Sequence, residues 1–531
     1  MEVPSRSRLL VDESGMRGMV ILAGVGSRGR RVRWLAAASL VMVMCTPEPE
    51  CGDEGGPRAR NSMERPDVVL ISMDTLRRDH LPFHGARRST APHLTELASS
   101  SLVFEHAFAA HTNTGPSHAS ILTGLYPPKH GILRNRYHLG SGVVTLAQIL
   151  GEEGYQTVGV TSSVMLSDRL TGLGRGFERY EEVAQGQSDR QANETWEVAR
   201  RVLGDLDPGK PLFLFFHLFD PHYPYRAPVA FSIALGSTEA EEARFPENAD
   251  LPRLRSGGAA PGELEVYMRR YDAEIRFADQ AIGRLFNTLK DLGRLDRSIV
   301  IFLSDHGETL VERPFVFDHG GRAYEEQIRV PLLFHLPGGL CGGRRMTREA
   351  HHVDVVPTLL DLLGLPIPGD VQGVSLLPGV GPIFVSGQKR RVTENAREGD
   401  LRCPGRNRGR AVSVGRPGSG RQIVSFARPE PDRVSHIQAP LVREGLVIAL
   451  RVWPWKLIAY PGQGRFYHEL FRLDLDPLEQ HNLAQSDPAQ LARMKATLDH
   501  WLAATGGDLG RPVPRVPSED EAMLRSLGYA R

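Results

Sequence analysis

Three apolar runs in this chain each lead into a carboxylate, and that arrangement restricts the fold more than any other feature of the sequence. The run 68–72 (VVLIS) precedes Asp74, the run 212–217 (LFLFFH) precedes Asp220, and the run 299–303 (IVIFL) precedes Asp305. Continuous apolar stretches rich in β-branched and aromatic residues, without polar alternation, belong to strands buried on both faces. Further strand-like runs lie at 157–161 and 331–336, with helical patterns at 94–98, 145–153 and 271–292 between the runs. Strand and helix in alternation predict an α/β fold, a mostly parallel sheet with helices on both faces. Ligands of such sheets collect beyond the carboxyl ends of the strands, where Asp74, Asp220 and Asp305 fall.

With 531 residues and 41% hydrophobic content, the chain can bury a full core and carry an appendage. Lys and Arg number 64 against 63 Asp and Glu, a net charge of +1, so no long-range field attracts nucleic acid. The Arg-rich segment 402–421 is interleaved with Gly, Pro and Ser and has the composition of a solvated loop. Near the N-terminus, Arg28, Arg30, Arg31 and Arg33 precede the apolar run 34–44. At about 11 residues that run is too short to span a bilayer as a helix and has the form of an export signal. Cys45 directly behind it offers a site for a lipid. Met44 is bulkier than lipoprotein processing expects, so lipid anchoring and plain cleavage stand as equal readings. A periplasmic, secreted or lipid-anchored bacterial protein is expected, with the Cys45 lipid as its sole membrane contact. Of the four cysteines only Cys341 and Cys403 fall in the expected folded region. Two such residues make no disulfide framework, and a pair formed after export and two unpaired small residues are both open.

The texture changes after Pro378, where Gly, Pro and Arg give way to short β-type segments at 412–414, 423–427, 446–451 and 455–460 and a helical segment Pro488–Ala504. The expected organisation is an export signal and linker at 1–64, a catalytic α/β domain at 65–378, and a subdomain with a small antiparallel sheet at 379–531.

Chemistry-bearing residues cluster in a few motifs. Asp305 and His306, in SDHGE at 304–308, follow an apolar run and precede a glycine, so a tight turn presents both side chains together. Asp74 alone would more often be a turn or helix cap. His222 stands in DPHYPY at 220–225 and His319 in DHG at 318–320; a histidine beside a proline is often a plain turn residue. Thr114 opens TGPSH at 114–118, followed by ILTG at 121–124, and its unremarkable alternative is a helix cap.

In this combination, TGPSH with ILTG, SDHGE, WKLI at 455–458 and DPLE at 476–479 resemble the sulfatase branch of the alkaline phosphatase superfamily over about residues 65–530. The resemblance implies an alkaline-phosphatase-like α/β fold with a small C-terminal α+β subdomain. It implies one divalent ion held by Asp74, Asp305 and His306, with the Thr114 hydroxyl completing the shell. A nitrogen donor in that set favours zinc or manganese, with calcium or magnesium as the alternatives. Thr114 stands where sulfatases carry the cysteine that becomes formylglycine, so no formylglycine forms and the implied nucleophile is a threonine alkoxide. His118, His222 and His319 are implied to contact the anion, His319 as clamp or general acid. Two departures reduce the fixed positive charge: the family arginine is His118, and a Gly-Lys-x-His segment is replaced by VGVTSS at 158–163; a third, Thr75 in place of a second aspartate, leaves one fewer carboxylate for the ion. The resulting expectation is an exported, metal-dependent hydrolase cleaving sulfate esters or phosphate (di)esters of a small molecule or glycan. A transferase of phosphoryl-linked head groups and a catalytically inactive binding protein are the alternatives.

Overall fold

The computed structural model describes residues 65–380, 382–384, 391–392, 421–427, 446–461 and 466–505. The export segment, Cys45, Cys403, the Arg-rich run and the expected strand at 412–414 lie outside them. A nine-stranded sheet forms the centre: β1 (Asp67–Met73), β2 (Leu102–Phe108), β3 (Gln156–Val160), β4 (Arg179–Glu181), β5 (Leu212–Leu218), β6 (Ser298–Ser304), β7 (Arg329–Val330), β8 (Leu332–His335) and β9 (Arg344–His351). Its order is β4-β3-β5-β1-β6-β8-β2-β7, with β9 also on β2. Pairing is parallel from β4 through β6 and between β2 and β9, and antiparallel where β8 meets β6 and β2.

The unbroken apolar runs are explained by what covers them. Val68 and Leu70 point into one core with Ile121, Leu122 and Leu359, while Val69, Ile71 and Met73 point into another with Tyr271, Ile275 and Ile282. The second core includes the long helix Glu263–Asp291 and the helices Pro92–Ser99 and Ala192–Gly204. Helices therefore cover both faces, as the alternation predicts. Polar strands were less legible: β2 holds Glu105 and His106 around a bulge, and β4 is short and half-exposed.

Register carries the chemistry to one place. Met73 pairs with both Leu218 of β5 and Ser304 of β6, so Asp74 and Asp305 leave adjacent strands at the same height. The Asp74 amide donates to the Leu218 carbonyl at 2.9 Å. Next in the chain, Thr75 sits at φ 54°, a left-handed conformation that a β-branched residue adopts only under constraint. That constraint is visible: its N–H donates to Asp305 Oδ1 at 3.2 Å and its carbonyl accepts from the Tyr271 hydroxyl at 2.8 Å.

The C-terminal region adds a two-stranded ribbon, β10 (Ile383–Phe384) with β11 (Arg391–Val392), and a four-stranded antiparallel sheet. The latter runs β12 (Ile423–Ala427), β13 (Val447–Val452), β14 (Trp455–Pro461), β15 (Phe466–Arg472) in sequential order. Met494, Leu498 and Trp501 of the helix Pro488–Ala504 cover Leu450 and Leu457 on one face. The other face, with Val447, Ile458 and Phe471, packs on Phe108, Tyr324 and Ile328. Each such fully buried side chain contributes about 1.5–3 kcal/mol. This packing supports the segment just after His319. Cys341 is disulfide-bonded, and its partner lies outside the described residues. No helix among the described residues is long and apolar enough to cross a membrane.

Candidate active site

Thr114 is the first residue of the helix Thr114–Thr123, with Asn113 as N-cap, and the whole helix is buried. Its end is set by Gly124 at φ 71°, whose N–H closes onto the Ser120 carbonyl; a Cβ there would come within 3.0 Å of Val371. The Gly115 N–H in the first turn is taken by Asn135 Oδ1 at 2.9 Å and does not stand open to an anion. The Thr114 hydroxyl donates to Asp74 Oδ2 at 3.3 Å.

Around that hydroxyl the structure gathers Asp74, Asp305 and His306, all fully buried, with one donor atom from each within 4.8 Å of the others. Asp305 Oδ1 is used, accepting the N–H groups of Thr75 and His306, and His306 Nδ1 donates to the Gly307 carbonyl at 3.0 Å. What remains is Asp74 Oδ1, Asp305 Oδ2 and His306 Nε2, each buried and each without a hydrogen-bond partner. Three lone-pair atoms turned towards one another repel unless a cation lies between them, and ligands at roughly 2–2.4 Å from an ion stand about this far apart. The residues therefore fit a divalent metal. Burial pushes the Asp74 and Asp305 carboxyls up, that of Asp305 well above the usual range with the Asp74 charge adding to the rise. Burial holds His306 well below its ordinary value, so its imidazole is neutral, the form that ligates.

Of the expected anion contacts, His222 and His319 lie together and His118 does not join them. The His222 and His319 rings meet edge to face with centroids 4.9 Å apart, and His319 lies 4.7 Å from the His306 ring. His222 donates from Nδ1 to the Tyr223 carbonyl and stacks on Phe219, and His319 Nδ1 bonds the buried Glu308 carboxylate at 3.2 Å. His118, by contrast, sits fully buried on the helix, its Nδ1 donating to the Thr114 carbonyl and its Nε2 accepting from Ser72 Oγ. Both nitrogens are occupied, so the ring ties the helix to β1.

Sequence reasoning passed over several residues of this centre. His217 brings Nε2 within 3.6 Å of Asp74 Oδ2. Ser117 Oγ donates to the Asp305 carbonyl at 2.6 Å, and His352 Nε2 donates to the Ser304 carbonyl at 2.9 Å; together they hold the turn that presents Asp305 and His306. A signal existed for His217, a polar residue at the end of an apolar run. For His352, on the distant strand end near β9, none did.

Residues 66–365 match the sulfatase family model. Among curated proteins, N-acetylglucosamine-6-O-sulfatase of Bacteroides thetaiotaomicron is 23% identical over 60% of this chain and 71% of its own length. Choline-sulfatase of Rhizobium meliloti is 25% identical over 82% of this chain and 87% of its own. Among solved structures, one titled as a complex with its substrate D-glucosamine-2-N,6-O-disulfate aligns with a TM-score of 0.63 at 19% identity, covering 84% of this chain and 99% of that one. The phosphonate monoester hydrolase of Agrobacterium radiobacter aligns with a TM-score of 0.58 at 20% identity, covering 83% and 95%. The fold is the alkaline-phosphatase-like fold of these neighbours, and the relatives are sulfuric and phosphoric ester hydrolases. With more than half its length matched, this chain belongs to the sulfatase family.

Proposed function

We propose that the chain is an exported, metal-dependent ester hydrolase that attacks sulfate esters or phosphate (di)esters with Thr114. The observation that supports this most is the Thr114 hydroxyl bonded to one oxygen of Asp74 while the other oxygen faces Asp305 Oδ2 and His306 Nε2 with no donor between them. Asp74, Asp305 and His306 would hold the ion, zinc or manganese before calcium or magnesium. When bound, a divalent ion supplies Lewis acidity, lowering the pKa of a hydroxyl and offsetting developing negative charge. The chain's own residues do the rest. Asp74 Oδ2 accepts the Thr114 proton in the resting state and orients Oγ. With its Nδ1–H held by the Tyr223 carbonyl, His222 would offer Nε2–H to the equatorial oxygens of the transition state as an imidazolium. Glu308 fixes the His319 ring through Nδ1, and the ring, when doubly protonated, would pass its Nε2 proton to the leaving group. His118 positions the nucleophile by clamping the Thr114 carbonyl.

Among the described residues few fixed cations surround this centre, which favours esters of low charge, consistent with phosphonate monoester hydrolase among the neighbours. Residues 1–64 direct export, and the subdomain from 379 onward braces the His319 segment. Aryl sulfate, phosphate monoester, phosphodiester and phosphonate monoester, each with zinc, manganese, calcium or magnesium added, test the reading. Turnover of at least one ester that falls about a thousandfold in Thr114→Ala while bound metal is retained is expected. Equal rates in the two proteins would leave a binding protein as the better account.

A further inference from the structure

The loop that carries His222 is pinned from behind by two carboxyl groups that the chemistry above does not use. Asp220 opens the loop and is buried, and Glu274 lies in the middle of the helix Glu263–Asp291, 2% exposed. Both line one small cavity with His222, Phe219, Pro224, Arg226, Asp189 and Gln191. The Glu274 carboxyl accepts the backbone N–H of Arg226, four residues beyond His222, and hydrogen-bonds the Asp220 side chain. No fixed donor reaches Asp220 Oδ2, and among the described residues neither carboxyl takes part in an ion pair. Two ionised carboxylates are both acceptors and cannot bond one another. The contact exists only if one of them carries a proton.

We propose that Asp220 and Glu274 share a single proton and that this pair is a positioning clamp, holding the His222 loop against the long helix. Burial pushes both carboxyls up, and the Asp220 charge raises Glu274 further, well above the usual range. Other groups around the pair do not replace it. The Arg226 guanidinium pairs with Asp189 through Nη2 and its Nε bonds neither carboxyl, Tyr225 stays neutral because burial raises its phenol, and His222 donates to the Tyr223 carbonyl. Loss of the shared proton at high pH sets two charges against each other beneath His222 and releases the loop, so turnover falls on the alkaline side.

The clamp rests on the proposed part of His222 in turnover, and the test separates the two. Glu274→Gln keeps a donor for Asp220 and an acceptor for Arg226 without a titrating proton; Glu274→Ala removes both. In metal-loaded protein the infrared difference between wild type and Glu274→Gln is expected to show a protonated carboxyl band at neutral pH. On the ester the wild type turns over, kcat should fall between about ten- and a hundredfold in Glu274→Ala, through misplacement of His222, and stay within about threefold in Glu274→Gln. The alkaline fall in kcat seen in wild type should be absent from Glu274→Gln. A missing carboxyl band overturns the shared proton whether or not the protein turns over any ester. A present band with an unchanged alkaline limb in Glu274→Gln, or with both variants equally impaired, overturns the clamp.

Discussion

Asp74 and Asp305 are fully buried and Glu479 nearly so, with Glu325 only slightly exposed, yet only the two glutamates are supplied with cations by the protein. Lys456, fully buried, lies 3.1 Å from Glu325 and 2.7 Å from Glu479. Arg313 reaches Glu326 and Glu479, and Arg451 pairs with Glu349 and reaches Glu325. Burial pushes the Glu325 carboxyl up, but Lys456 and Arg451 outweigh it and hold the group down to about 2. Among the described residues nothing at the strand ends plays the part of Lys456: the side-chain nitrogens nearest Asp74 and Asp305 are imidazoles that burial keeps neutral. The contrast separates two uses of buried charge. A self-neutralised network fastens the C-terminal sheet to the segment after His319, and an uncompensated one waits for a cation from outside.

Removing a member from each cluster should break the two in opposite ways. Asp305→Ala is expected to abolish metal retention and lower turnover by at least about a thousandfold, while metal-free stability holds or rises because an uncompensated carboxyl is gone. Metal analysis, kinetics and melting in chelator check this together. Lys456→Met leaves two carboxylates without their cation and should cost about 3–5 kcal/mol in denaturant unfolding, with metal content unchanged.

The pH dependence of stability sharpens the comparison. Asp74 and Asp305 have raised values in the folded state, so the metal-free fold binds more protons than the unfolded chain. Their contribution is present in acid and lost as pH rises through those folded values, and bound metal, which needs both ionised, should reverse the sign. Glu325 responds in the other direction, its contribution lost only as pH falls towards about 2. Glu479, raised to about 7 by burial despite Lys456, gives the loss near neutrality that should persist with metal bound. Calorimetry from strongly acidic to mildly alkaline pH, with and without chelator, reads all three. The smallest effect is expected at Ser117→Ala, which removes the bond to the Asp305 carbonyl: about tenfold in metal affinity and about 1 kcal/mol in stability.

The main architecture was legible because double burial writes itself as unbroken apolar runs, as in β1, β5 and β6. Asp74, Asp305, His306, Thr114, His222 and His319 were legible because each lies at a strand end or in a short local motif, and the structure brings them together. His118 illustrates the limit. Its place in the motif suggests an anion contact, but whether an imidazole on that helix faces the ester or β1 depends on Ser72, 46 positions away. His352, Ser117 and Glu274 act through similarly distant partners, and no local pattern announces them. The edge strands β4 and β9, half-exposed and carrying arginines, lack the apolar signature.

The central claim is that Asp74, Asp305 and His306 together bind a divalent cation beside the Thr114 hydroxyl. Anomalous diffraction at the absorption edge of the metal found in the purified protein tests it most directly. One ion per chain is expected, within roughly 2–2.6 Å of Asp74 Oδ1, Asp305 Oδ2 and His306 Nε2. A crystal of active protein with no ion there, or with the ion bound elsewhere, would contradict the account.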